Sequence, residues 1–194
     1  MSTDIAESVI NEVLAHPFDH EWSIQGFGML RTYLDDEHIH RLHIWDVDSA
    51  VTDVSTIHDH PWDFTSRIVR GAIRNQRFVI HGSNGAPQFW RARIRCGEGG
   101  HMLTEPERVG ICSEGVEQYV SGQSYSMLAP ELHESFPTRG AVTVISRSFH
   151  ADRDTATVCW RTGDWVSAEP RPATRGEIEH FIALAVSEGA SDGE

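Results

Sequence analysis

The chain opens with apolar residues at helical spacing: Ile5, Val9, Ile10, Val13 and Leu14 lie within residues 3–15. Thr3 or Asp4 offers a cap, and His16-Pro17 supplies a stop. From about residue 26 the pattern changes to short β-like runs: FGMLRTYL, HIHRLHIW, VSTIH, SRIVRGAIRNQRFVI, QFWRARIRC, VEQYV, YSMLA, AVTVISRSF and TATVCW. Gly, Pro, Asn and Asp punctuate these runs, and Ser83-Asn84-Gly85 reads as a hairpin turn between two of them. Many short strands with little helix between them predict an all-β antiparallel sandwich or small barrel over about residues 26–160. Residues 174–187 read as a closing helix, and 97–110 as the longest loop. With no internal repeat and no linker, residues 1–194 are expected to form one domain.

Composition narrows the chemistry. The formal charge is −13, from 16 basic and 29 acidic residues, which disfavours phosphate backbones and anionic lipid as partners. No nucleic acid and no membrane are therefore expected, and the absence of a long apolar run agrees. The N-terminal Met1-Ser2-Thr3-Asp4 lacks the basic and apolar regions of a secretory signal, so a cytoplasmic location is expected. All 16 basic residues are arginine, which removes a P-loop lysine, a Schiff-base lysine and a lysine general base. Cys96, Cys112 and Cys159 are odd in number and widely spaced, and read as buried small residues. Histidine occurs 12 times, which points toward metal or acid/base chemistry.

The informative segment is His58-Asp59-His60-Pro61-Trp62-Asp63-Phe64. Residues two apart on a strand share a face, so His58 and His60 can converge on one point. Imidazole suits Fe, Zn, Ni or Cu. The stretch resembles the first cupin motif, G(x)5HxH(x)3,4E(x)6G, with His58 and His60 in the HxH and Gly71 as its closing glycine. Gly122 and His133 have the separation of the second motif, G(x)5PxG(x)2H(x)3N. Thr52 replaces the opening glycine and Phe64 the glutamate, while Leu128, Pro130 and Pro137 replace the Pro, Gly and Asn. HDHPWDF followed by SRIVRG also looks like a group of small bacterial and phage-type cupins.

The resemblance implies a cupin double-stranded β-helix, a jelly-roll-like barrel with helices at both ends and a metal in its mouth. Its ligands would be His58, His60 and His133, a three-histidine set similar to that of cysteine-dioxygenase-like cupins. Fe(II) is the metal such a set implies, with Zn, Ni or Mn as alternatives. Asp63 is the rival fourth ligand; its strand parity is wrong unless Pro61 introduces a bulge. The implied function is a non-haem Fe(II) oxygenase acting on a small polar or anionic molecule. A metal-dependent isomerase or hydrolase and a non-catalytic ligand-binding or regulatory cupin are the alternatives.

Other residues are candidates for the site. Arg70 shares the parity of Phe64 and is the arginine placed nearest the cavity, where it could hold a substrate carboxylate. Tyr125 begins the strand leading toward His133 and could hydrogen-bond a metal-bound ligand. Trp62, Phe64 and Trp90 could line a pocket or belong to the core. Arg91, Arg93 and Arg95 share one face, either paired to acidic neighbours or forming an anion surface. His40 or His43 points inward, depending on whether Leu42 and Ile44 or Ile39 and Trp45 face the core, and His150 could support the site from a strand end. An open sheet edge would favour a homodimer through the N-terminal β region or its helix.

Overall fold

Both helical ends form in the computed structural model, which describes residues 5, 7–51, 56–81, 87–95, 101–161, 166 and 170–187. Helix α1 (Glu7–Ala15) buries Ile10, Val13 and Leu14, three of the five residues that mark its apolar stripe. Helix α2 (Arg175–Ser187) buries Ile178, Phe181 and Ala185. A capping box starts α2: Glu177 N donates to Thr174 Oγ1 at 3.3 Å, and Thr174 N donates to Glu177 Oε2 at 2.8 Å. The α1 caps Thr3 and Asp4, the Ser83-Asn84-Gly85 turn, Thr52 and Cys96 lie outside the described residues.

Between the helices the chain is all-β. Its strands are β1 (Ser23–Gln25), β2 (Met29–Tyr33), β3 (His40–Trp45), β4 (Ile57–His58), β5 (Trp62–Arg70), β6 (Ala72–His81) and β7 (Gln88–Arg95). They continue with β8 (His101–Met102), β9 (Glu107–Val120), β10 (Ser124–Met127), β11 (Leu132–Pro137), β12 (Val142–Phe149), β13 (Thr155–Trp160) and β14 (Arg171–Pro172). One seven-stranded sheet has the order β10-β5-β12-β3-β2-β1-β14. The other runs β13-β4-β11-β6-β9-β7-β8, and β13 also pairs with β7. Every pairing is antiparallel.

The described part of the expected 97–110 loop corrects that expectation, because it contains β8 and the first four residues of the 14-residue β9. Gly110, Gly115 and the charged residues of ERVGICSEG hide the strand pattern in the sequence. Pairing supplies what propensity lacks: β9 lies along β6 from His81↔Gly110 to Ala72↔Val120.

The first sheet is covered on both faces. Leu42, Ile44, Val142 and Val144 pack with Ile10, Leu14, Ile178 and Phe181 of the helices. On the opposite face, Trp45, Trp62, Phe64, Ile68, Tyr125, Met127 and Ile145 meet Ile73 and Tyr119 of the second sheet. Strands covered twice read as continuous rather than alternating apolar runs. This resolves the inward face of HIHRLHIW, because His40 and His43 are both buried. Asp46, just past β3, ties α2 to this sheet by accepting from His180 Nε2 at 2.7 Å, and it also accepts from Arg139 Nε, ahead of β12, at 3.2 Å.

Two motif glycines sit where the backbone needs them. Gly71 joins β5 to β6 at φ +73°, and Gly122 turns β9 into β10 at φ +84°. A Cβ on Gly71 would lie 2.7 Å from Thr138 Oγ1 and 3.1 Å from Ala141 Cα, so the turn is closed by conformation and by space. Gly71→Ala is expected to lower unfolding free energy by about 1–3 kcal/mol in urea titration, from the left-handed φ and the close approach combined. Gly122→Ala meets no neighbour within 4 Å and should cost less.

Candidate metal centre

The site begins with a register. Antiparallel β4 and β11 place His58 directly opposite His133, so the two side chains leave the same face of one strand pair. His60 follows two residues after His58, and its N–H is fixed by the carbonyl of Ala129 at 3.2 Å. The three rings converge, with centroid separations of 4.8 Å for His58–His60, 4.8 Å for His58–His133 and 5.2 Å for His60–His133. One nitrogen from each lies within 4.8 Å of the others, so the group could bind a divalent metal ion. The three residues matched to the two motifs are the three brought together.

The other nitrogens are already engaged. His58 Nδ1 lies 2.8 Å from the carbonyl of Thr56, and His133 Nδ1 lies 3.2 Å from the carbonyl of Glu131. A carbonyl only accepts, so both Nδ1 atoms carry the proton and leave the Nε2 lone pairs free for a ligand role. Such backbone contacts fix both ring orientation and tautomer. Burial is the main cause that lowers all three pKa values, His133 to about 3 and His60 well below the free value, with neighbouring His58 adding to both. The imidazoles are therefore neutral at pH 7, the protonation state that a metal requires.

Aromatic rings enclose the cluster. Phe27 stacks on His58 with centroids 5.1 Å apart, and Trp62 stacks on His60 at 4.1 Å. Phe64, which takes the glutamate position of the motif, lies edge-on to His60 at 5.3 Å and 5.9 Å from His133. No carboxylate joins the group among the described residues. Asp63 instead accepts from Ala129 N at 2.7 Å and His150 Nε2 at 3.0 Å. It thereby anchors Ala129, the residue whose carbonyl positions His60, and His150 acts through it.

Asp59, between the two motif histidines, carries no weight in the sequence reading but secures the segment. Its N–H donates to Thr157 O at 3.0 Å, and its Oδ1 accepts from Thr157 N at 2.6 Å. Burial pushes its carboxyl up to about 6, against the lowering effect of Thr157. A reciprocal pair with a strand backbone has no sequence signature, so only the fold reveals it.

Arg70 requires a correction. Ile68 pairs with Thr143 and Arg70 with Val142, so β5 carries one extra residue, Val69, and alternation fails there. Arg70 consequently reaches α2, donating to Ala185 O at 2.9 Å and to Asn11 Oδ1 at 3.4 Å. It is a tether for the helices, as is Arg67, which donates to Ile5 O at 2.7 Å. Tyr125 is buried behind Phe64, stacked on Tyr119 at 4.7 Å, and burial raises the pKa of its phenol. Trp90 packs with Ala92, Val158 and Trp160, away from the histidines. Arg91 pairs with Glu107, Arg93 with Thr155, and Arg95 with Asp154 at 3.3 Å, so that arginine row is a paired face. Cys159 is buried and its thiol is pushed up to about 12, first by burial, which suits a packing residue.

No protein-family description matches this chain, and no curated protein matches it either. No helix among the described residues is long and apolar enough to cross a membrane.

Two outcomes follow from this geometry. Asp59→Ala leaves the Thr157 N–H without its partner and should cost about 1–3 kcal/mol of stability, whereas Asp59→Asn keeps an acceptor and should cost less, both read by urea unfolding. The three histidines bind protons less tightly folded than unfolded, so stability of chelator-treated protein should fall as pH drops below 6.5. Asp59, raised to about 6, opposes this between its two pKa values because the folded state binds its proton more tightly. The urea midpoint should be lower at about pH 6 than at about pH 7.5, on either side of the free histidine pKa, and the drop should be smaller in His133→Gln.

Proposed function

We propose that this chain is a metal-dependent enzyme of the cupin type, a non-haem Fe(II) oxygenase acting on a small anionic molecule. The observation that carries the reading is the convergence of three neutral imidazoles with no carboxylate among them. That donor set fits iron in a two-motif cupin whose glutamate position is apolar, and it leaves the metal's charge uncompensated. Bound iron would supply adjacent open positions for substrate and dioxygen. The two antiparallel sheets and the order of the two motifs support a double-stranded β-helix as the scaffold.

The chain's own residues supply the rest. His58 and His133 present Nε2 from a rigid strand pair, and the Thr56 and Glu131 carbonyls keep those rings from turning. Phe27, Trp62 and Phe64 surround the rings with apolar surface, which excludes water and strengthens electrostatic attraction to an anionic substrate. An uncompensated dication favours ligands that displace water and neutralise charge together.

Anaerobic loading with Fe(II) should give about one metal per chain, consistent with one three-ligand group. His133→Ala should reduce affinity by at least about tenfold, since losing a direct ligand costs no less than losing a supporting contact. Asp63→Asn should retain the metal, because Asp63 contacts Ala129 and His150 instead. Oxygen uptake by the iron-loaded protein across thiols, amino acids and small organic acids tests the oxygenase assignment. Uptake no faster than with His133→Ala would remove it, and full metal occupancy in His133→Ala would remove the site.

A further inference from the structure

Next to the histidine cluster the first sheet gathers arginines on one face. In the register Tyr33↔Arg41↔Ile145, with Arg31↔His43 one step along, the side chains of Tyr33, Arg31, Arg41 and Arg147 share a parity with the buried Ile145. The Arg41 guanidinium lies 5.2 Å from the ring centre of Tyr33 and 5.2 Å from that of Trp62. Arg147 lies 5.4 Å from Tyr33, 5.2 Å from Trp62 and 4.6 Å from Phe149. Trp62 also stacks on His60, so one indole touches both arginines and the candidate metal centre.

Within this group, Arg41 and Arg147 have no direct ionic partner among the described residues, although Asp35 and Tyr33 act on Arg147 electrostatically. Among the described residues, neither Arg41 nor Arg147 forms an ion pair, and the Nε atom of each is buried without a hydrogen-bond partner. Arg147 Nη2 donates to the carbonyl of His38, and Arg41 engages the Tyr33 side chain. The nearby carboxylate, Asp35, is taken by Ile39 N at 2.7 Å, His40 N at 2.6 Å and His40 Nδ1 at 2.9 Å. Burial first, then Arg31 and Arg147, lowers the pKa of Arg41 to about 9. Burial opposes ionisation of the Tyr33 phenol, but Arg41, Arg31 and Arg147 together outweigh it and lower its pKa. Arg41 and Arg147, which repel one another and form no ion pair among the described residues, mark a place for an anion.

We propose that Arg41 and Arg147 bind a phosphate group, so that the site takes a small phosphorylated molecule whose other end reaches the histidine cluster. Two guanidinium groups carry +2, which matches a phosphate monoester near neutral pH. They come from different strands, β3 and β12, and can donate from two directions to a tetrahedral group. A carboxylate would neutralise only one of them, and a dicarboxylate such as succinate holds its two charges on separate groups rather than on one tetrahedral centre. Tyr33 and Trp62 flank the two guanidinium groups, and Arg31, which donates to Ser23 Oγ at 3.0 Å, adds to the positive field from the neighbouring strand. The link to catalysis rests on the metal-centre reading; the phosphate site stands without it.

The test is calorimetric titration of the full chain, treated with chelator, against inorganic phosphate, glycerol phosphate and succinate. One site should saturate with phosphate and with the monoester, and succinate should bind at least about tenfold more weakly. Arg41→Gln and Arg147→Gln should each weaken phosphate binding by at least about tenfold, with circular dichroism confirming folded protein. Arg41→Lys keeps the charge, loses the fork, and should fall between wild type and Arg41→Gln. His133→Ala should bind phosphate as wild type does, which separates this site from the metal site: its loss of iron with phosphate retained supports both readings, and retention of iron there counts against the metal site alone. Phosphate binding unchanged in both glutamine variants, succinate binding as tightly as phosphate, or binding of inorganic phosphate but not the monoester would overturn the proposal.

Discussion

The pairing of His58 with His133 across β4 and β11 is the constraint on which the site depends. Strand β4 is only two residues long, so it cannot hold its register alone. It is held by the longer strands on either side: β11 lies along β6 over six residue pairs, and β13 pairs with both β4 and β7. Asp59 locks onto the Thr157 backbone, and Thr56 Oγ1 donates to Glu134 on β11. A one-residue slip would send His58 to the opposite face and dissolve the cluster. The geometry of the three histidines is thus a property of the whole second sheet.

The first sheet contributes by being covered twice. Helices α1 and α2 take one face with aliphatic side chains, which leaves the other free to carry Trp62, Phe64 and the inward arginines. Arg67 and Arg70, which follow Phe64 on the same strand, serve the helix side by capturing backbone carbonyls. Charge is therefore partitioned along β5 and its neighbours: Arg67 and Arg70 reach helix-side carbonyls, while Arg41 and Arg147 face aromatic rings, with the His38 carbonyl accepting from Arg147. Cation–π contact stabilises a guanidinium by about 0.5–2 kcal/mol, too little to replace an ionic partner for two desolvated charges.

Much of this was legible in the chain itself. The strand runs over about 26–160 and both helical ends are present in the described residues, because their hydrophobic periods are strong. The segments missed are those whose structure depends on pairing alone: β1, β8 and β14 are three residues or fewer, and the part of β9 before VEQYV is interrupted by glycines and charges. In the site, the HxH spacing and the separation from Gly122 to His133 select three residues that do converge. Arg70 was misplaced because a single extra residue, Val69, breaks the alternation on which parity rests. Asp59, Phe27, Arg41 and Arg147 escaped because their roles arise from backbone and cross-strand partners distant in sequence.

X-ray absorption at the metal edge of the loaded, full-length protein tests the central claim most directly. The account predicts a shell of light N/O scatterers at about 2.0–2.2 Å with the multiple-scattering signature of three imidazoles and no sulfur. Sulfur in the shell, or fewer than three imidazoles, would contradict the assignment to His58, His60 and His133.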